Sequence, residues 1–159
     1  MKTLIRIPEE RKPILIGKDG RTKEKIESDT QTKITVKADV EIDGKTEDVL
    51  RAKEIVQAIG RGFSPEDAFD LLQEDCQMYV IDMGGETRNT RERLMGRVIG
   101  RKGATKNIIE QMTGTKISIY GKTVSIIGDS SGVRRAADAV EDLLEGHTHG
   151  FAYRKLKEH

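Results

Sequence analysis

The chain has 159 residues, 35% apolar and 35% charged, and its 28 Lys and Arg against 27 Asp and Glu leave a formal net charge of +1. This balance excludes a polycation that grips nucleic acid through bulk charge, so any basic footprint must be local. A single cysteine, Cys76, excludes an internal disulfide framework and fits a reducing compartment.

Residues 1–6 lack the apolar run of a signal peptide. No stretch approaches the ~18 apolar residues of a membrane helix. The expectation is a soluble cytoplasmic protein with no membrane partner. Residues 2–7 alternate polar and apolar, as a strand does. A short apolar turn at 13–16 opens on Pro13, placed where helices tolerate proline. Gly17-Lys18-Asp19-Gly20 interrupts it, and 21–28 reads as a helix. Residues 33–37 are β-branched and alternate, 39–43 form a weaker strand, and Val49, Ala52, Ile55, Val56 and Ile59 share one helical face. Gly60 and Gly62 end that helix.

A connector, 63–76, follows. Ser64 can cap, Pro65 takes the first helical position and Glu66 and Asp67 fill the first turn, with Ala68, Phe69, Leu71 and Leu72 forming an apolar face. Such a helix needs something to pack on, so docked units are expected rather than beads on a string. The order then recurs: a strand at 78–82, a helix at 91–99, the interruption Gly100-Arg101-Lys102-Gly103, a helix at 104–112, strands at 115–120 and 122–127, and a last helix carrying Val133, Ala136, Ala137, Val140, Leu143 and Leu144. Residues 147–159 form a basic tail with helical potential.

The recurrence is a true repeat. Shifted by 83 positions, residues 16–36 align with 99–119 without a gap, and 11 of 21 positions are identical, among them both glycines of the interruption and the Thr-Lys-Ile triplets at 32–34 and 115–117. The expected architecture is α+β, with two β-α-α-β-β-α units bounded at 1–62 and 77–146.

Each Gly-x-x-Gly sits between two predicted helices. Glycine lets the chain turn sharply and lets another backbone approach without a Cβ in the way. The second glycine opens a helix, whose free N–H groups and positive dipole end favour phosphate. In the second loop Arg101 and Lys102 add charge, flanked by Arg97 and Lys106. The stretch 88–106 holds Arg88, Arg91, Arg93, Arg97, Arg101, Lys102 and Lys106 against only Glu92. The first loop pairs Lys18 with Asp19, an acid where the second has Lys102. The second repeat is therefore the expected main clamp. The first, with Gly17, Lys18, Gly20, Arg21 and Lys23 and help from Arg11 and Lys12, is weaker or serves a protein partner. Ile16 and Ile99 are candidates for a nucleobase groove beside Ile34, Ile117 and Ile119, although each also suits the core.

This order resembles the type I KH domain, in which the Gly-x-x-Gly loop clamps about four nucleotides of single-stranded nucleic acid. The resemblance narrows in the connector, Ile59-Gly60-Arg61-Gly62-Phe63-Ser64-Pro65-Glu66-Asp67-Ala68, and in Leu143-Leu144-Glu145-Gly146-His147-Thr148-His149. Together these are similar to the two-KH ribosome assembly factors of the partner-of-Nob family. That family implies single-stranded RNA binding near the 3′ end of small-subunit rRNA during its maturation, beside the endonuclease that trims it. An archaeal member is associated with the alpha subunit of initiation factor 2. The absence of a long N-terminal extension and the intact first loop point to the archaeal branch.

No catalytic or metal-ligating constellation stands out in the sequence, so no enzyme activity, cofactor or metal is expected. His147, His149 and His159 crowd the C-terminus without accompanying ligands, Cys76 has no nearby His, and no P-loop or Rossmann pattern occurs. A reading from another class is a protein-interaction adaptor in which RNA binding is secondary.

Overall fold

A computed structural model describes residues 1–158, so His159 lies outside the described residues. The chain divides into two compact units, Met1–Glu74 and Asp75–His159.

In the first unit, β1 (Lys2–Ile5) leads through a turn to α1 (Lys12–Ile16), the loop 17–20, α2 (Arg21–Thr30), β2 (Lys33–Val36), β3 (Val40–Asp43) and α3 (Thr46–Gly60). The three strands form an antiparallel sheet in the order β1-β3-β2, with Ile34 opposite Ile42 and Ile5 opposite Val40. The predicted face of α3 is buried as read: Val49, Ala52, Ile55, Val56 and Ile59 all have no solvent exposure. Leu15 and Ile26 bring the two helices around the loop onto the same core. Each of these Val, Leu and Ile side chains contributes about 1.5–3 kcal/mol by leaving water.

The connector belongs to this unit as far as Glu74, and its last residue, Cys76, opens the first strand of the second. Ser64 accepts the Asp67 N–H at 3.2 Å and caps the short α4 (Pro65–Ala68). A single tight turn over 69–72 follows, and Ala68 and Leu71 are buried. The Lys25 ammonium sits 4.6 Å from the Phe69 ring centroid, tying the turn to α2.

The second unit repeats the plan with longer strands: β4 (Cys76–Asp82), α5 (Arg88–Ile99), the loop 100–103, α6 (Ala104–Thr113), β5 (Lys116–Tyr120), β6 (Thr123–Asp129) and α7 (Ser130–Leu144). Its antiparallel sheet runs β4-β6-β5. The core joins Leu94, Val98, Ile109, Ile117, Val124, Ile126, Val140 and Leu143. The basic tail is a docked helix, α8 (His149–Lys157), capped by Thr148, whose hydroxyl oxygen accepts the Phe151 N–H at 3.1 Å. Ala152 and Leu156, one turn apart, are buried in that core. Lys155 pairs with Asp142 at 2.9 Å, and this hydrogen bond holds its ammonium above the ordinary lysine range. Among the described residues no helix is long and apolar enough to cross a membrane.

Candidate nucleic-acid interface

The two loops are copies in three dimensions. Gly17 has φ 76°, ψ 176° and Gly100 φ 75°, ψ 174°; Asp19 and Lys102 share φ 55° with ψ 28° and 29°; Gly20 and Gly103 lie at φ 76° and 77°. In each, the second glycine's N–H donates to the first glycine's carbonyl at 3.2 Å. The first glycine is required twice over. Its backbone region is reached essentially by glycine alone, and a Cβ at Gly100 would stand 2.2 Å from Thr105 Oγ1, as one at Gly17 would stand 2.3 Å from Thr22 Oγ1. At Gly103 only φ matters, because the space beside it is open.

Local networks brace the loop's second helix in both units. Glu27 accepts the Ile34 N–H at 2.7 Å and Glu110 accepts the Ile117 N–H at 2.8 Å, fixing the helix to the following strand. Thr30 and Thr113 each donate to the carbonyl one turn back at 2.6 Å.

The predicted site residues separate into two groups. Lys18, Asp19, Arg21, Arg101 and Lys102 are exposed and enter no ion pair among the described residues. Lys102 stands in the left-handed region, which costs a lysine about 1–2 kcal/mol and which Asp tolerates more readily. Ile99 is 37% exposed beside the second loop.

The other group is engaged in contacts within its own unit. Arg97 Nε donates to the Leu143 carbonyl at 3.0 Å and Nη2 to that of His147, while His149 Nε2 donates to the Arg97 carbonyl at 3.0 Å. Arg97 thus fastens the C-terminal end of α7, where a cation is favoured, to the chain entering α8. Arg11 does the same for α3, reaching the Ile59 and Phe63 carbonyls at 2.8 and 2.7 Å. Lys12 is buried, bonded to Glu9 and to the Ala38 carbonyl at 2.9 Å. Lys23 and Lys106 pair with Glu27 and Glu110 at 3.3 and 3.5 Å. Ile117, at 4% exposure, and Ile34, at 1%, are core residues.

Arg88 pairs with Glu92 at 3.0 Å and Arg91 donates to the Glu86 carbonyl at 3.2 Å. Of the seven cations in 88–106, Arg88, Arg93, Arg101 and Lys102 are exposed, and the last three enter no ion pair among the described residues. Arg97→Ala is expected to lower the stability of the second unit by about 1–3 kcal/mol, the usual value of charged hydrogen bonds. It should also open the α7–α8 junction to proteolysis; limited digestion checks this, and an unchanged cleavage pattern around 145–149 would refute the fastening role.

Asp142, Glu145 and His147 bring ligand atoms within 4.8 Å of one another, a grouping the sequence spacing did not announce. Lys155 already supplies the positive charge beside Asp142, and the His147 ring stacks on Phe151 with centroids 4.4 Å apart.

Comparison with known proteins agrees with this geometry. A family model described as the eukaryotic-type, type I KH domain matches residues 77–159, and the KH domain model matches residues 2–58. The chain is 41% identical to the KH domain-containing protein MJ0443 of Methanocaldococcus jannaschii, over 97% of this chain and 72% of that protein. It superposes on Dim2p from Pyrococcus horikoshii OT3 with a TM-score of 0.93 and 43% identity, covering 100% of this chain and 99% of the other. A chain in the a/eIF2alpha–aDim2p–rRNA complex from the same organism matches with a TM-score of 0.92 and 43% identity, covering 99% and 93%. Two loops of one shape, on two copies of one fold, in a sequence that these relatives match nearly end to end, place the chain in the family of type I KH-domain proteins, among the two-KH members of the partner-of-Nob kind.

Proposed function

We propose that this protein binds single-stranded RNA of the small-subunit rRNA 3′ region during ribosome assembly, and that the second loop, Gly100–Gly103, is the principal clamp. The observation that carries the reading is Lys102, a lysine in the left-handed conformation with no ion pair among the described residues, next to Arg101 at the opening of α6. Strain retained at a charged, exposed position is typical of binding sites. Phosphate is the matching ligand, since the helix N-terminus and both side chains favour an anion there. Ile99 offers an apolar edge against which a base can lie. The KH resemblance supports RNA as the polymer, and the rRNA-containing relative supports rRNA as its source.

The first loop has the same backbone but carries Asp19, which repels phosphate, so its contribution to RNA affinity is the smaller. That face, rather than the second loop, is where a protein partner fits better. The a/eIF2alpha-containing relative makes the alpha subunit of initiation factor 2 the first candidate. The rRNA-trimming endonuclease is a second, on family resemblance alone.

The test is a titration with a short single-stranded RNA matching the small-subunit rRNA 3′ end, against a scrambled strand. Binding that prefers the matching strand is expected. Log affinity should fall with log salt at a slope of about −0.7 per phosphate neutralised, roughly −1.4 for two loop cations. Weak binding that ignores both sequence and salt would overturn the clamp and favour the adaptor reading.

A further inference from the structure

Beside the second loop lies an open depression of about 500 Å³, walled by α5, the start of α6 and α8. Arg93, Gly96, Arg101, Thr105, His149 and Tyr153 are among the residues that line it. Arg93 and Arg101 are exposed and enter no ion pair among the described residues. The Tyr153 hydroxyl donates to Thr105 Oγ1 at 3.2 Å, which fixes the ring against the helix that the loop opens. The His149 ring lies 6.2 Å from it, tilted by 56°.

Gly96 is the informative residue. It sits inside the 12-residue α5, where glycine is a poorer helix former than alanine. A Cβ there would meet nothing within 4 Å, and its φ does not lie in the region that demands glycine. Nothing within the unit needs the missing side chain, whereas a backbone passing close over α5 does. Gly96 and Gly100 are one turn apart and lie roughly 60–100° round α5 from Ile99. A strand leaving the groove beside Ile99 would cross that glycine edge into the depression.

The first unit differs at the matching positions. The 83-residue shift puts Glu10 at the position of Arg93 and Pro13 at that of Gly96, and the four-residue α4 stands where the second unit has the nine-residue α8.

Building on the clamp reading, we propose that this depression binds one further nucleotide of the same RNA, flanking the clamped stretch, with its phosphate between Arg93 and Arg101 and its base against Tyr153. The chemistry is that of sequence-tolerant single-strand sites, where cations track the backbone and an aromatic ring takes a base.

The experiment compares a tetranucleotide from the small-subunit rRNA 3′ sequence with heptanucleotides extended from it on the 5′ or the 3′ side, by fluorescence anisotropy on the full chain. One extended strand should bind about tenfold tighter than the tetranucleotide, the usual order for one stacked base. Its salt slope should be steeper by about 0.7. Arg93→Glu and Gly96→Leu should each remove that gain and leave tetranucleotide affinity within about twofold. Gly96→Leu also improves helix propensity, so its Tm should not fall and misfolding cannot account for the loss. Heptanucleotides that gain nothing over the tetranucleotide, or a gain that survives both changes, would overturn the proposal; the latter result would leave the depression to an acidic peptide. Failure of the intact protein to bind any of the strands would instead remove the clamp reading, and this proposal with it.

Discussion

Replacing Arg101 and Lys102 together with Asp should weaken RNA binding about 100-fold or more, while Lys18→Asp should change it by less than about fivefold. Each charged hydrogen bond to phosphate is worth about 1.5–3 kcal/mol, and reversing the sign adds repulsion at the same place. The double change is unusually clean. Asp19 already occupies the matching position of the first loop, with φ 55° and ψ 28° against the φ 55° and ψ 29° of Lys102. Asp is therefore at home in this conformation, and the variant should fold with an unchanged Tm. Anisotropy titrations of both variants against the same rRNA strand decide the matter. An equal loss in the two would mean that the loops share the load; no loss in the double variant would sink the clamp.

The second large effect separates the two glycines of the same loop. Gly100→Ala should destabilise the second unit by about 3–5 kcal/mol, because backbone strain and a steric clash add there. The new methyl would stand 2.2 Å from Thr105 Oγ1 and 2.7 Å from the Thr105 backbone nitrogen, the one on a buried side chain and the other main chain. Gly103→Ala meets only open space and should cost about 1–2 kcal/mol, the left-handed penalty alone. Urea unfolding of the full chain, following the transition of the second unit, measures both. Comparable losses at the two positions would show that Thr105 does not restrict the loop as its distances imply.

What the sequence revealed, and what it hid, follows from how far apart the interacting residues lie. The 83-residue repeat, the helix after each loop, the Ser64-Pro65 helix start and the buried face of α3 are local or periodic signals, and all can be read directly. The fate of the cations is not local. Arg97 finds the Leu143 and His147 carbonyls across 46 and 50 residues, and Arg11 finds Ile59 and Phe63 across 48 and 52. Counting positive charges over 88–106 therefore overstates the surface patch. The strand isoleucines show another limit: alternation says that Ile117 and Ile119 share a face but not how deeply each is buried, and Ile117 proves to be core. The depression beside α8 was hidden because it needs the tail to fold back, although a glycine inside a helix was its visible trace.

The two loops hold one backbone shape with opposite character at one position, Asp19 or Lys102. The glycines and the threonine behind them set the form; the middle residues face solvent and leave it unchanged. After a duplication, such a loop can drift in what it attracts without passing through an unfolded ancestor. One copy is free to keep the old ligand while the other explores a new one, and a single codon separates attraction from repulsion more sharply than any change of fold would.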